Sequence, residues 1–210
     1  MFLIGQYDSP FVRRVAIALR LYGIPFEHRP WSTFGDAAKI APYNPLLRVP
    51  TLVPDDGEAL IDSTAILDYL DERMGAAKAL MPERGPERRK HLRVLALATG
   101  LGDKAVSLIY ERVLRKEQSK IWVERCATQI SGVLAVLEQE RAAAKTTYLF
   151  GEKIAHADIA LACVLRFTRE AHPQLFDASR YGALAAHAET CEALPPFREI
   201  VQPLAPPSGD

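Results

Sequence analysis

Pro50 stands inside the extended apolar stretch Leu46-Leu47-Arg48-Val49-Pro50-Thr51-Leu52-Val53. A proline has no N–H to give to a sheet ladder, so a strand cannot run straight through it. The pattern makes sense if the Val49–Pro50 bond is cis and turns the chain outward, leaving Val49 with an unused N–H and C=O. Asp55-Asp56-Gly57 then reads as a hairpin turn, and Ala59-Leu60-Ile61 as the returning antiparallel strand.

The stretch before it reads as a βαβ unit. Phe2 to Gln6 predicts a short buried strand. Val12 to Tyr22 predicts a helix with Val12, Val15, Ala16, Leu19 and Tyr22 on one face and Arg13, Arg14 and Arg20 elsewhere. Gly23 stops it. Pro25 to Arg29 predicts a second strand near the sheet edge, parallel to the first. Trp31 to Ala41 shows no regular period. Asp62-Ser63-Thr64 opens another helix, with Ala65, Ile66, Tyr69 and Leu70 on one face and Gly75 at its end.

Residues 76–86 contain Pro82, Gly85 and Pro86 and read as a linker, dividing the chain into units 1–75 and 87–210. Beyond Glu87 strand signals vanish. Helical patterns run over Arg88–Leu114, Gln118–Ala144, Ile154–Glu170 and Leu184–Leu194; the third is apolar enough to be a central buried helix. Pro195-Pro196 stops the fourth, Phe197 to Gln202 forms a last turn, and the tail from Pro203 is expected to be loose. The fold class is therefore a mixed four-stranded α/β sheet followed by an all-helical half.

Lys+Arg and Asp+Glu are both 26, so no field of one sign favours nucleic acid or an anionic membrane. No apolar window approaches a membrane span and no leader pattern opens the chain, so a cytoplasmic protein is expected. Cys126, Cys163 and Cys191 lack disulfide or metal-ligand spacing and read as free thiols; the five histidines lack ligand spacing too, and no metal is implied.

Two helix starts carry chemistry. Ser9 is a good N-cap and Pro10 suits the first helical position. Such a terminus collects unpaired N–H donors and the positive dipole end, which stabilise an anion, a thiolate included. Asp62-Ser63 offers a second such terminus. Each could equally be a cap and nothing more.

This order of features, Ser-Pro at the first helix, Val-Pro before the third strand, Asp-Ser at the last helix and an all-helical second half, resembles the cytosolic glutathione S-transferases, in particular bacterial serine-type members. The resemblance implies a thioredoxin-like first domain, glutathione as co-substrate, and transfer to a small hydrophobic electrophile in detoxification. It implies Ser9 as the catalytic hydroxyl donating to the glutathione sulfur. Val49 before Pro50 would pair with the cysteinyl backbone, Asp62 and Ser63 would hold the γ-glutamyl group, and Arg48 would lie over the glycyl end. It also implies a homodimer. Asp158 matches a buried capping-box acid, but the partner position holds Ala155, so Asp158 is expected to reach free N–H groups alone, with an effect on stability.

Tyr7 competes with Ser9 as donor to the sulfur. Phe11, Trp31, Phe34 and Tyr110 are candidates for the electrophile pocket, and Asp103 for a contact to the glutathione amine. Without a cysteine in the Tyr7–Arg14 stretch, disulfide reduction is disfavoured. Without a nearby His to activate Ser9, so is hydrolysis. A non-enzymatic glutathione- or partner-binding protein of the same fold, like stringent starvation protein A, and a glutathione-dependent peroxidase or isomerase remain open alternatives.

Overall fold

The computed structural model describes residues 1–207. Four short strands, β1 (Phe2–Ile4), β2 (Glu27–Arg29), β3 (Thr51–Val53) and β4 (Leu60–Ile61), form one sheet in the order β2-β1-β3-β4. β1 pairs parallel with β2 and antiparallel with β3, and β3 pairs antiparallel with β4. The parallel pair is joined by α1 (Pro10–Leu21), as the βαβ pattern predicts, and α3 (Ser63–Met74) follows the hairpin. The irregular stretch contains a one-turn helix, α2 (Ala37–Ile40), too short to show a period.

The remaining elements are helical: α4 (Gly85–Leu114), α5 (Lys120–Ala143), α6 (His156–Ala171), α7 (Gly182–Glu192) and α8 (Pro195–Glu199). Pro195 and Pro196 end α7 and also open α8, where the missing N–H groups cost nothing. The apolar α6 packs against α1, α4 and α7. This is the architecture of a thioredoxin-like domain joined to an all-helical one. No helix among the described residues is long and apolar enough to cross a membrane.

Helix α1 departs from its pattern. Arg13 and Arg14, expected off the apolar face, are 2% and 1% exposed. The helix is buried all round because α3, α6 and α8 pack on it in addition to the sheet. Arg13 meets this with full pairing: two bonds of 2.6 and 2.7 Å to the Glu192 carboxylate, and donations to the carbonyls of Ile200 and Phe197. Asp71 makes a second tie between the two halves. Its Oδ1 accepts from the Leu80 N–H and the Tyr22 hydroxyl and lies 3.0 Å from His156 Nε2, joining α3, α1 and α6. The three cysteines are free and buried.

Asp158 acts alone at the start of α6, as expected. Its two carboxylate oxygens accept from the N–H groups of Ala155 and Leu149, each at 2.8 Å. The hydroxyl half of a capping box is missing because position 155 is alanine.

Candidate functional site

Gly5 prepares the site. It takes φ +126°, a backbone region open to glycine, and it is so closely packed that Val12 and Val49 both touch it. The chain then turns through Gln6–Asp8 into α1, where Ser9 caps the helix: its Oγ accepts from the Val12 N–H at 3.4 Å. Across from it, the Val49–Pro50 bond is cis. Neither the N–H nor the C=O of Val49 makes a hydrogen bond among the described residues. Asn44, buried, fixes the approach to this segment by donating to the Arg48 carbonyl at 2.8 Å.

At the start of α3 the division of labour differs from a simple serine cap. Asp62 is the N-cap, at φ +67°, and its Oδ1 accepts from the Thr64 N–H at 2.7 Å. Ser63 is the first helical residue and is buried, with its Oγ accepting from Arg14 Nη2 at 2.7 Å.

Two adjoining clefts bring these residues together. The smaller, about 170 Å³, is lined by Pro50, Asp62, Ser63, Thr64 and Thr99 among others. The larger, about 480 Å³, is lined by Ser9, Trp31, Phe34, Tyr110 and Phe167 among others. Phe11, Arg48, Val49 and Asp103 border both. Every candidate residue named from the sequence therefore faces one cleft or the other, except Tyr7. Its ring stacks on His28 at 3.8 Å, it lines neither cleft, and burial pushes its phenol up to about 12. Phe11 can approach α4 closely because position 102 is glycine: a Cβ there would come 3.2 Å from the ring. Arg48 and Asp103 stand 3.9 Å apart, both largely exposed.

Two features were not visible in the sequence. One is Arg14 behind Ser63. The other is the segment 202–207, which is not loose. The Tyr7 N–H donates to Gln202 Oε1, the Leu204 N–H to Glu170, and the Ala205 N–H to Asp8 Oδ2 at 3.1 Å. Leu204 to Pro207 thus close one side of the larger cleft. These anchors use backbone N–H groups, which leave no residue signature; residues 208–210 of the expected loose tail lie outside the described residues. Burial raises the Asp8 carboxyl above its ordinary range. No group of three His, Cys, Asp or Glu among the described residues could hold a metal ion.

The family model of the glutathione S-transferase N-terminal domain matches residues 3–78, and that of the C-terminal domain residues 120–190. The chain belongs to the glutathione S-transferase family. The maleylacetoacetate isomerase of Pseudomonas aeruginosa is 30% identical over 95% of this chain and 94% of its own length. The uncharacterized GST-like protein YibF of Escherichia coli is 35% identical over 66% of this chain and 68% of its own. A crystal structure of a glutathione S-transferase from Methylobacterium radiotolerans, in complex with glutathione sulfonate, superposes with a TM-score of 0.89 at 27% identity, covering 97% of this chain and 95% of that one.

Proposed function

We propose that this chain is a glutathione transferase of the serine type, which holds glutathione across the two clefts and directs its thiolate at a small hydrophobic electrophile. The observation that carries the reading is the position of Ser9, a helix N-cap at the wall of an aromatic cleft, opposite the unpaired backbone of Val49. The glutathione sulfonate complex of a relative with the same fold supports glutathione as the ligand.

The chemistry follows from the cap. The Ser9 oxygen accepts from Val12, so its own proton is free to donate to a sulfur. The first-turn dipole adds to the same effect. A free thiol ionises near ~8.5, and lowering that by about two units takes only ~2.7 kcal/mol, within reach of one charge-assisted hydrogen bond and a helix end. The thiol proton leaves to solvent, and the thiolate attacks the electrophilic carbon, either displacing a leaving group that departs with the bonding electron pair or adding to an activated double bond whose other carbon then takes a proton from solvent. Val49 would pair with the cysteinyl backbone, Asp62 with the γ-glutamyl amine, Ser63 with its carboxylate and Arg48 with the glycyl end. Phe11, Trp31, Phe34 and Tyr110 would receive the electrophile.

Retention on glutathione resin, and an ultraviolet thiolate band on binding that Ser9→Ala removes, test this reading. Absence of binding at millimolar glutathione overturns it. The isomerase relative, which aligns over nearly the full chain, favours a second reading on the same site: glutathione adds to an activated double bond and leaves again. Glutathione is consumed one-for-one in transfer and regenerated in isomerisation, so its balance separates the two. A homodimer belongs to the proposal, supported by exposed Leu46 and Leu92; sedimentation at about twice 23.3 kDa checks it.

A further inference from the structure

The charge in the larger cleft is one-sided. Much of its wall is apolar, with Phe11, Phe34, Ile109, Tyr110 and Phe167 among the lining residues. Three lining side chains carry a formal charge: Asp8, Arg48 and Asp103. Arg48 and Asp103 also line the smaller cleft and stand 3.9 Å apart, so they offset each other at that end. Asp8 lines the larger cleft and not the smaller. Its Oδ2 accepts from the Ala205 N–H at 3.1 Å. No basic side chain forms an ion pair with it among the described residues: Arg48 faces Asp103, and Arg166 is bound to Glu170. The Tyr110 phenol, raised first by burial, is raised further by Asp8 and lowered by Arg48. The Asp8 charge therefore reaches the aromatic wall of the cleft.

We propose that Asp8 is a specificity-determining residue, which admits uncharged aryl electrophiles to the larger cleft and turns away those that carry a carboxylate. This rests on the reading of that cleft as the electrophile site. A carboxylate entering it gives up hydration and needs a cation in return. The cleft has none to spare. Arg48 already faces Asp103, and the glutathione reading gives it the glycyl carboxylate as well. The incoming anion would instead meet Asp8, in a space walled by apolar side chains where a like charge is little screened. The thiolate held by Ser9, the next residue along the chain, adds a second negative charge. An uncharged ring meets no such penalty and keeps its contacts with the aromatic wall. Selection of this kind comes from what the cleft repels, so Asp8 need make no bond to the favoured compound.

The test uses two glutathione conjugates, S-(4-carbamoylbenzyl)glutathione and S-(4-carboxybenzyl)glutathione. They share the tripeptide and the ring and differ in charge at the far end of the ring. Calorimetry measures both on the wild type and on Asp8→Asn, at mildly alkaline pH, where Asp8 is ionised although burial raises its carboxyl. The wild type should bind the carbamoyl conjugate more tightly by about tenfold or more, the size of one poorly screened like-charge contact. Asp8→Asn keeps an acceptor for the Ala205 N–H and loses the charge, so the gap should close to about threefold or less, through tighter binding of the carboxy conjugate. An Asp8 that only anchors the tail would leave the gap as it is in the wild type. If the asparagine variant does not fold, Asp8→Ser, which also offers an oxygen without a charge, gives the same reading. Equal binding of the two conjugates by the wild type, or a gap that survives in the folded variant, overturns the role of Asp8 alone. A wild type that binds neither conjugate nor glutathione overturns the glutathione reading itself.

Discussion

Gly5 lies directly against Val49: a Cβ added to Gly5 would come 2.8 Å from Val49 Cβ and 2.5 Å from Val12 Cγ2. This contact seats the Val49–Pro50 segment beside the start of α1, and so sets the distance between the Ser9 hydroxyl and the free backbone groups of Val49. Gly5→Ala meets both the overlap and a φ of +126°. Each cause alone costs about 1–3 kcal/mol. Urea denaturation should therefore show a loss of roughly 3 kcal/mol or more, and any folded fraction should bind glutathione more weakly. A variant with wild-type stability would contradict the packing described here.

The hold of Asp8 on the 202–207 segment gives a second expectation. Asp8→Ala removes the acceptor for the Ala205 N–H. The bond is exposed, so its loss is put at no more than about 1 kcal/mol, or at most roughly a fivefold rise in KM for the electrophile. Glutathione affinity should change less, because Asp8 does not line the smaller cleft, where Asp62 and Ser63 would hold the γ-glutamyl group. Asp8→Asn keeps an acceptor oxygen and should stay near wild type. Equal effects of both variants on the two substrates would rule out a wall function for this segment.

The elements that the sequence displays best are those governed by neighbouring residues. Ser9-Pro10 announces a helix start, Pro50 forbids a plain strand, and Asp56-Gly57 turns the hairpin, each through backbone chemistry confined to a few positions. Burial of Arg13 and Arg14 is different. Helical periodicity assumes one covered face, whereas α1 is also covered by α6 and α8, more than 130 residues away in the chain. Asp62 rather than Ser63 caps α3, and it does so at a positive φ that no local pattern reveals for a non-glycine residue.

At the start of α6, Ala155 takes extended backbone angles as N-cap but offers no oxygen, while Asp158 supplies the returning half of the box. Ala155→Ser would complete it, its hydroxyl accepting from the Asp158 N–H. A cap of this kind contributes about 1 kcal/mol, or a rise in Tm of roughly 2–4 °C for a chain of this size. Turnover should not change, since Ala155 borders neither cleft. A fall in Tm would mean that the hydroxyl finds no partner in this buried position.

His187, 1% exposed on α7, faces Asp158 at 3.6 Å and Cys191 at 3.7 Å. Burial, aided by the charge of Arg141, pushes its imidazole down to about 4. Its ordinary value in an unfolded chain is near ~6.5. Between those values the unfolded state binds a proton that the folded state refuses, so stability falls as pH drops from 6.5 toward 4, by up to roughly 3 kcal/mol from this residue. Asp158 works the other way: burial raises its carboxyl to about 6, so the folded state takes up a proton first and gains stability as pH falls below 6. His187→Gln removes the first effect and leaves the second. On going from pH 6.5 to 4.5 the stability of the variant should therefore change more favourably than that of the wild type, by about 2 kcal/mol, as read from denaturation midpoints at the two pH values. Parallel pH profiles for the two proteins would show that His187 is protonated in the fold, against the burial and the Arg141 charge that surround it.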